Sequence, residues 1–315
     1  MALTVVQPYE QLKVDNITMY IYGLPSMRKT SLAMTANDAL LINFDNGAHR
    51  VDMNLRRCPV MNVESWREIQ AIQKSDLQPF QTIIIDTAGT MQNCARSLVA
   101  EDKRNVFGNG VIKQQAQGIA NSYLNTFINN LKNWKKDIVF IAHAIEDQDA
   151  QDRKILRPDL GGRLRQELYR LADCMALIKF EQRGNLLTHI MQFTANEEHL
   201  AKDCANLGTV ALPELYQNPN FLGNLIQHVK DKVNSMSPEQ IAQMKQQQEL
   251  ALWRERCNDA VTAKVFNQMM IDLKTEQDKG NPQCRAMWNI LKPCGLAVGL
   301  IFDSEKAVWL ESNDE

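Results

Sequence analysis

The feature that most constrains the fold of this chain is an apolar, strand-like run that ends at a glycine. A short loop, a lysine and a helix-like segment follow. Residues 17–30 read Ile-Thr-Met-Tyr-Ile-Tyr-Gly-Leu-Pro-Ser-Met-Arg-Lys-Thr. This order matches the pattern G-x-x-x-x-G-K-[ST], whose backbone N–H groups surround a phosphate while the lysine neutralises its oxygens and the hydroxyl reaches Mg²⁺. The pattern predicts nucleotide binding by these consecutive residues: Gly23, Leu24, Pro25, Ser26, Met27, Arg28, Lys29, Thr30 and Ser31.

One position departs from this pattern. Arg28 stands where the pattern has its second glycine. A glycine there lets the backbone come close to the phosphate, whereas an arginine adds bulk as well as charge. Since Lys29 and Thr30 are both present, we expect nucleotide binding with slow hydrolysis. The alternative is an ordinary strand-to-helix turn that contains a glycine and a lysine.

A second apolar run completes the nucleotide-binding signature. Residues 81–90 read Gln-Thr-Ile-Ile-Ile-Asp-Thr-Ala-Gly-Thr, which is typical of a strand buried on both faces of a parallel sheet. Asp86 would emerge at the carboxyl edge of that sheet, where open α/β folds bind ligands. We therefore expect Asp86 and Thr30 to hold Mg²⁺, with Asp86 also a catalytic residue. The alternative is a helix cap, for which Asp86 or Thr87 would serve.

Composition sets limits on the class of protein. The chain has 315 residues and a net charge of −2, so any nucleic-acid contact must come from a local patch. No run reaches the roughly 18 apolar residues of a membrane span, and the N-terminus lacks the features of a signal peptide. The seven cysteines form no C-x-x-C pair, so we expect neither a zinc site nor a disulfide framework. A reducing cytoplasm is the compartment that this pattern favours.

Strand-like and helix-like segments alternate over the first two thirds of the chain, which predicts an α/β fold with a mostly parallel central sheet. Expected strands include 39–44, 83–86 and 137–142, and a hairpin is expected over 174–194. Ser237-Pro238-Glu239-Gln240 forms a capping box that opens a long helix. We therefore predict a nucleotide-binding core over 1–220 and a small, mainly helical C-terminal domain over 235–315, which ends in a hairpin.

Two further polar residues follow expected strands. Asp45 comes directly after the strand at 39–44, and a carboxylate there can align an attacking water. His143 ends the expected strand at 137–142, where it can contact the γ-phosphate and report its presence to the next segment. Both are candidate catalytic residues. The alternatives are a turn aspartate for Asp45 and a structural histidine for His143.

The segment after His143 is locally basic. Residues 151–170 contain six basic and three acidic side chains, and Asp159-Leu160-Gly161-Gly162-Arg163 is flexible by composition. Such a segment can follow a phosphate backbone, although a solvated helix face would have the same composition. The candidate DNA-binding residues are Arg153, Lys154, Arg157, Arg163 and Arg165.

Several of these motifs together resemble a known family. Ile-Tyr-Gly-x-Pro-x-x-x-Lys-Thr-Ser-Leu-Ala, Leu-Ile-Asn-Phe-Asp-Asn-Gly-Ala-His-Arg, Ile-Ile-Ile-Asp-Thr, Val-Phe-Ile-Ala-His and Pro-Asp-Leu-Gly-Gly resemble the phage-encoded RecA-like ATPases of the Sak type. The resemblance covers roughly residues 15–215. It implies a RecA-like P-loop core, ATP and Mg²⁺ as cofactors, binding to ssDNA, and self-assembly into rings or filaments. For a phage protein the compartment would be the cytoplasm of the bacterial host.

The function that the resemblance implies is DNA recombination or single-strand annealing, with ATP bound and slowly hydrolysed. Arg28 puts hydrolysis in doubt more than binding. A different class of function stays open, in which the chain is a catalytically weak nucleotide-binding loader or mediator for another DNA-processing protein. A RecA-fold helicase is a third alternative, although the sequence lacks the N-terminal helical domain expected of hexameric replicative helicases. A single-strand-binding protein is a further candidate partner.

Overall fold

The structure is a computed structural model that describes residues 5–7, 10–148, 152–184 and 186–311, without the side chains of Arg163, Arg183 and Pro238. The chain divides into two compact units. One comprises Val14–Asn234, and the other contains Ser235–Glu315 together with the N-terminal residues. The first unit carries the phosphate loop and all the candidate site residues.

Within the described residues, nine strands form one sheet with the order β3-β2-β4-β5-β1-β7-β8-β9, and β6 pairs with β5 outside this path. The six strands from β3 to β7 run parallel, whereas β6, β8 and β9 are antiparallel to their neighbours. A separate two-stranded sheet lies in the C-terminal unit. The strands are β1 Thr18–Gly23, β2 Ala39–Asn43, β3 Val60–Asn62, β4 Thr82–Asp86, β5 Asp137–Gln148, β6 Lys154–Pro158, β7 Cys174–Arg183, β8 Leu186–Gln192, β9 Thr209–Ala211, β10 Leu300–Asp303 and β11 Val308–Glu311.

Helices connect these strands and cover the sheet. The α-helices are α1 Lys29–Ala33, α2 Trp66–Ala71, α3 Ala88–Ala100, α4 Gln114–Asn133, α5 Gly162–Leu171, α6 Phe221–Val233, α7 Pro238–Asp259, α8 Ala263–Asp278 and α9 Cys284–Ala297. Short 3-10 helices occur at Gly47–Arg50, Met53–Leu55 and Lys103–Asn105. The predicted α/β class, with a mostly parallel sheet and a helical C-terminal region, is confirmed.

The central strands are apolar on both faces because each face packs against helices. In β4, Ile83 and Ile85 belong to one core cluster and Ile84 belongs to the other. The first cluster includes apolar residues of α2, α3, α4 and α5, and the second includes residues of α1 and α6. Since all three isoleucines are fully buried, β4 holds Asp86 at a fixed position at the sheet edge.

The structure corrects the sequence-based boundaries in the region after His143. β5 does not end there but continues to Gln148, and β6 pairs antiparallel with this extension to form a two-stranded ribbon. The basic segment thus contains β6, and its glycine-containing part lies between β6 and α5 and includes the start of α5. α6 and β9 were not predicted, and α9 extends from Cys284 to Ala297 although Pro293 lies within it.

The C-terminal unit has its own apolar core, formed by α7, α8, α9 and the β10–β11 hairpin. The predicted capping box is present, because the Ser237 side chain accepts from the Gln240 N–H and the Gln240 side chain accepts from the Ser237 N–H. Trp309 packs against α9 at Gly295, where an added Cβ would lie 2.5 Å from the indole ring. Side-chain size at position 295 therefore determines how closely α9 approaches the hairpin.

No helix within the described ranges is both long enough and apolar enough to cross a membrane.

Candidate functional site

The parallel strands end at one edge of the sheet and bring several of the candidate residues there. Gly23 at the end of β1 pairs in register with His143 of β5, and Asn43 at the end of β2 pairs with Asp86 of β4. Gly23 is also closely packed against the next strand, since an added Cβ would lie 2.6 Å from the carbonyl oxygen of Ile178. The sheet thus positions the phosphate loop, Asp86 and His143 along its carboxyl edge.

A cavity of about 340 Å³ opens at this edge, and we call it the nucleotide cavity. Its lining residues come from the phosphate loop, the 3-10 helix after β2, and the ends of β4 and β5. They are Pro25, Ser26, Met27, Arg28, Lys29, Thr30, Ser31, Asp45, Gly47, Arg50, Val51, Asp86, Thr87 and His143. The structure therefore brings together all three residues predicted to be catalytic, both predicted metal ligands and most of the predicted loop residues.

Lys29 is buried at the start of α1, and its ammonium group folds back over the loop. Its Nζ donates hydrogen bonds to the carbonyl oxygens of Gly23, at 2.9 Å, and Leu24, at 2.8 Å. Burial lowers the pKa of Lys29 to about 8, while the nearby Asp86 charge acts in the opposite direction. Carbonyl oxygens only partly compensate a desolvated cation, so a phosphate oxygen is the stronger partner for this group.

Thr30 and Asp86 are in direct contact. Thr30 Oγ1 donates a hydrogen bond of 2.7 Å to Asp86 Oδ2. Burial, and to a smaller extent the Asp45 charge, raise the pKa of Asp86 to about 6, against the opposing effects of the Thr30 hydrogen bond and of the Lys29 and Arg50 charges. A hydroxyl and a carboxylate oxygen are hard donors that suit Mg²⁺, so this pair fits the predicted metal.

The helix cap that competed with a metal role for Asp86 belongs to its neighbour. Thr87 is the N-cap of α3, and its side chain accepts from the Thr90 N–H at 3.3 Å. The peptide bond between Asp86 and Thr87 is cis. Because Thr87 supplies the cap, the Asp86 carboxylate is available to Thr30 and the cavity.

Arg28 takes up the left-handed backbone conformation that glycine favours, with φ of 56°. Its side chain is not folded over the phosphate loop. Instead, Nη1 forms an ion pair of 2.6 Å with Glu214 Oε1, and both side chains are about half exposed. The position therefore has the backbone conformation that explains the glycine of the general pattern, while the arginine charge is directed to Glu214.

Asp45 is a turn residue that also lines the nucleotide cavity. Its Oδ1 accepts a 2.8 Å hydrogen bond from the Gly47 N–H, as a turn residue does, and its side chain also lines the nucleotide cavity. A Cβ at Gly47 would lie 2.7 Å from Asp45 Oδ1, so the turn needs glycine at that position.

His143 is half-buried, lines the nucleotide cavity and belongs to β5, which continues beyond it to Gln148. Burial lowers the pKa of His143, followed by the Lys29 charge, while Asp45 and Asp159 act in the opposite direction. Its Nδ1 is buried and has no hydrogen-bond partner among the described residues. A neutral imidazole with one nitrogen free is able to contact a phosphate oxygen.

Arg50 is a cavity residue that the sequence reasoning did not assign. It lies at the end of the 3-10 helix Gly47–Arg50, and no ion pair or hydrogen bond of its side chain occurs in the described part of the chain. Its charge lowers the pKa of both Asp86 and His143, which places the guanidinium near the two. The available signal was its position five residues after Asp45, on a short helix at the same sheet edge.

The predicted DNA-binding residues lie on the β5–β6 ribbon and on α5, apart from the nucleotide cavity. Three of them form ion pairs: Arg153 with Glu197 at 2.7 Å, Lys154 with Glu146 at 3.3 Å, and Arg157 with Asp147. Arg165 is half-buried on α5 and has no ion-pair partner within the described ranges. The side chain of Arg163 lies outside the described part of the structure. The local excess of positive charge is therefore partly neutralised by neighbouring carboxylates.

Comparisons with known proteins bear on the first unit. The family model described as an AAA domain matches residues 15–205. None of the curated proteins matches the chain. Among solved structures, the chain has similarity to the KaiC-like protein PH0186 from the hyperthermophilic archaeon Pyrococcus horikoshii OT3. The TM-score is 0.36 at 11% identity, over 65% of this chain and 100% of that one.

Proposed function

The chain belongs to the AAA domain family, whose model matches residues 15–205, and is a P-loop ATPase. From that premise we propose that it acts in DNA recombination or single-strand annealing. In this proposal it binds ATP with Mg²⁺, binds ssDNA, assembles with copies of itself and hydrolyses ATP slowly.

The nucleotide part of the proposal rests on the residues of the nucleotide cavity. Lys29 would bind the β- and γ-phosphate oxygens, and Thr30 and Asp86 would hold Mg²⁺, which supplies charge neutralisation for phosphoryl transfer. Asp45 would orient the attacking water, and His143 would contact the γ-phosphate. The conformation of Arg28 supports slow turnover, because a non-glycine residue in the left-handed region costs roughly 1–2 kcal/mol and the loop cannot adjust freely around the phosphate.

The DNA part of the proposal rests on one observation, the continuity of β5. The same strand carries His143 at the nucleotide cavity and then forms the ribbon that bears Lys154 and Arg157 on its partner β6. A contact between His143 and the γ-phosphate would therefore bias the position of the ribbon. A ligand shifts such an equilibrium only if it binds one state better than the other.

The ion pairs on the ribbon are compatible with this role. Exposed ion pairs contribute only about 0–1 kcal/mol, so a DNA phosphate can replace Glu146 as the partner of Lys154 at little cost. Arg165 has no ion-pair partner to give up among the residues that the structure describes.

Binding to ssDNA is tested by fluorescence anisotropy of a labelled oligonucleotide over a salt series, with and without a non-hydrolysable ATP analogue. The double variant Arg163→Gln/Arg165→Gln should bind ssDNA more weakly and reduce the salt slope by roughly 1.4, since each contact to a single strand contributes about 0.7. Nucleotide affinity should not change. The matched control is Arg254→Gln/Arg285→Gln, which removes two exposed arginines of the C-terminal unit. If the first variant binds ssDNA like the parent at every salt concentration, this basic segment is not the DNA site.

The loader or mediator function stays a second candidate, and the Arg28–Glu214 ion pair is the observation that favours it. A protein that uses ATP only as a conformational switch needs a stable phosphate loop more than it needs rapid ATP turnover. ATP turnover with and without ssDNA separates the two. Stimulation by ssDNA supports annealing or recombination, no turnover in either condition supports the mediator, and directional unwinding would support a helicase.

Self-assembly is tested by light scattering of the full chain with and without the ATP analogue and ssDNA. The proposal expects a ring or filament that forms with both ligands. A monomer under all conditions would contradict this part of it.

A further inference from the structure

A second cavity lies next to the nucleotide cavity. It has a volume of about 330 Å³ and is bounded by the first turns of α3 and by the loop between β6 and α5. The two cavities share Thr87 and His143 as lining residues. A group bound in the second cavity would therefore lie beside His143, which also lines the nucleotide cavity.

The second cavity contains a cation that has no ion-pair partner among the described residues. Arg96 projects from α3, and its Nε is buried without a hydrogen-bond partner in the described part of the chain. Its guanidinium forms no ion pair there either, and burial alone lowers the pKa of Arg96. A partly desolvated cation is unfavourable unless an anion compensates it. The fold thus retains a charge whose natural partner is an anionic ligand.

Two hydrogen bonds hold the Gly161 loop against α3 beside Arg96. The buried side chain of Gln92 donates to the Gly161 carbonyl oxygen at 3.0 Å and accepts from the Gly161 N–H at 3.2 Å. A Cβ at Gly161 would lie 3.3 Å from Arg96 Nη2, so glycine keeps the space beside the guanidinium open. The cavity is therefore built by specific contacts between α3 and the loop.

The remaining polar groups suit a tetrahedral anion better than a cation. Thr90 and Asn93 offer hydroxyl and amide donors, and His143 Nδ1 is without a partner in the described ranges. Asp159 also lines the cavity, but it is exposed and lies beyond ion-pair distance of Arg96. One guanidinium and neutral donors are the groups that commonly bind phosphate.

We propose that the cavity around Arg96, Asn93 and Thr90 binds a phosphoryl anion behind the γ-phosphate position. Two sources share this chemistry. The anion is either inorganic phosphate released by hydrolysis or a backbone phosphate of bound ssDNA, and only the second source rests on the proposed DNA function. In both cases His143 would lie between the two phosphate groups and sense both.

The test measures inorganic phosphate binding by calorimetry on the full chain, with ADP and Mg²⁺ saturating the nucleotide cavity. Arg96→Gln should weaken phosphate binding by at least about tenfold, because it removes a charge-assisted contact. Asn93→Asp, at an exposed position where folding is not at risk, should weaken it in the same way by repulsion. Asp159→Asn should strengthen it, and Arg254→Gln is the matched control without effect.

Two further measurements separate the sources. If the anion is the hydrolysis product, Arg96→Gln alters the rate of phosphate release but leaves the ssDNA affinity unchanged. If it is a DNA phosphate, the variant binds ssDNA more weakly, and inorganic phosphate competes with ssDNA in the parent at constant ionic strength. A parent that binds phosphate but no ssDNA would refute the proposed DNA function and leave this site intact. The site itself is refuted if Asn93→Asp and Arg96→Gln both bind phosphate and ssDNA as the parent does.

Discussion

Thr30 Oγ1 and Asp86 Oδ2 are joined by a hydrogen bond of 2.7 Å. This bond connects the first turn of α1 to the end of β4, two elements that are 56 residues apart in sequence. Two of the groups expected to hold Mg²⁺ are consequently already adjacent, which reduces the ordering needed when the metal binds. Asp86 is also sensitive to pH, because burial raises the pKa of its carboxyl to about 6 although the Thr30 hydrogen bond acts in the opposite direction.

We expect the affinity for Mg²⁺ and nucleotide to be highest between about pH 6 and about pH 8. Mg²⁺ binds the carboxylate, so protonation of Asp86 below about pH 6 competes with the metal and lowers affinity. Phosphate binds the ammonium form, so loss of the Lys29 proton above about pH 8 also lowers affinity. Calorimetric titrations across this range measure both limbs.

The control for the acidic limb is Asp86→Asn, which cannot ionise. The affinity of this variant for Mg²⁺ and nucleotide should be low. It should no longer fall on the acidic side, except for the part of the fall that comes from protonation of the nucleotide. An acidic limb as steep as that of the parent would assign the titration to the nucleotide.

Lys29→Ala should weaken nucleotide binding by roughly 10- to 100-fold, as expected for loss of a charge-assisted contact worth about 1.5–3 kcal/mol. Lys245→Ala, which removes an exposed lysine of α7, is the matched control. Equal nucleotide affinities for Lys29→Ala and the parent would contradict the assignment of the loop.

Arg28→Gly should raise ATP turnover, by up to roughly tenfold if about 1.4 kcal/mol of backbone strain is relieved in the transition state. Glu214→Gln removes the ion-pair partner but keeps the backbone strain, so it separates the two effects. A fall in turnover of tenfold or more in Arg28→Gly would instead show that the arginine stabilises the transition state.

Arg50→Gln should lower ATP turnover by roughly 10- to 100-fold while the affinity for ADP changes little. The reason is that its guanidinium lies near Asp86 and His143, where charge develops on the γ-phosphate, and has no partner in the described residues. Arg50→Lys should recover part of the activity, and the exposed neighbour His49→Gln should have no effect. Equal losses of ADP affinity and turnover would point to a general binding role.

Gly295→Ala should destabilise the C-terminal unit by about 1–3 kcal/mol, because the new methyl group would overlap the Trp309 ring. Gly118→Ala in α4 is the matched control. Apart from its chain neighbours and the backbone of its own helix, no atom lies within 4 Å of its added Cβ, so removing the flexible glycine should stabilise the protein by roughly 0.5–1 kcal/mol. Urea denaturation of both variants measures the difference.

The strands buried on both faces could be predicted from sequence because their residues are continuously apolar. β1 and β4 are fully buried throughout. The ribbon after His143 could not be predicted from sequence, because residues 145–148 alternate between half-buried and exposed and include Glu146 and Asp147. α6 carried a readable signal in Leu222, Ile226 and Val229, which recur at helical spacing and are buried. Pro219, two residues before α6, is typical of a loop and therefore argued against a helix at this place.

The site could be predicted only where its residues follow strands. Lys29 and Asp86 meet because parallel strands end at one edge, which sequence order implies. The Arg28–Glu214 ion pair joins residues 186 positions apart, and no local pattern encodes it. Arg96 looks like a solvent-facing helix residue in sequence, and only the packing of the Gly161 loop against α3 shows that it borders a cavity.

Gly23 is required by the neighbouring strand as well as by the loop, because a side chain there would meet the Ile178 carbonyl. Selection on sheet geometry alone would preserve this glycine even in a descendant that no longer bound nucleotide. Its presence in a distant homologue would therefore say little about retained activity. Positions 29, 30 and 86, whose side chains the sheet does not need, are the ones whose loss would mark a degenerate, inactive copy.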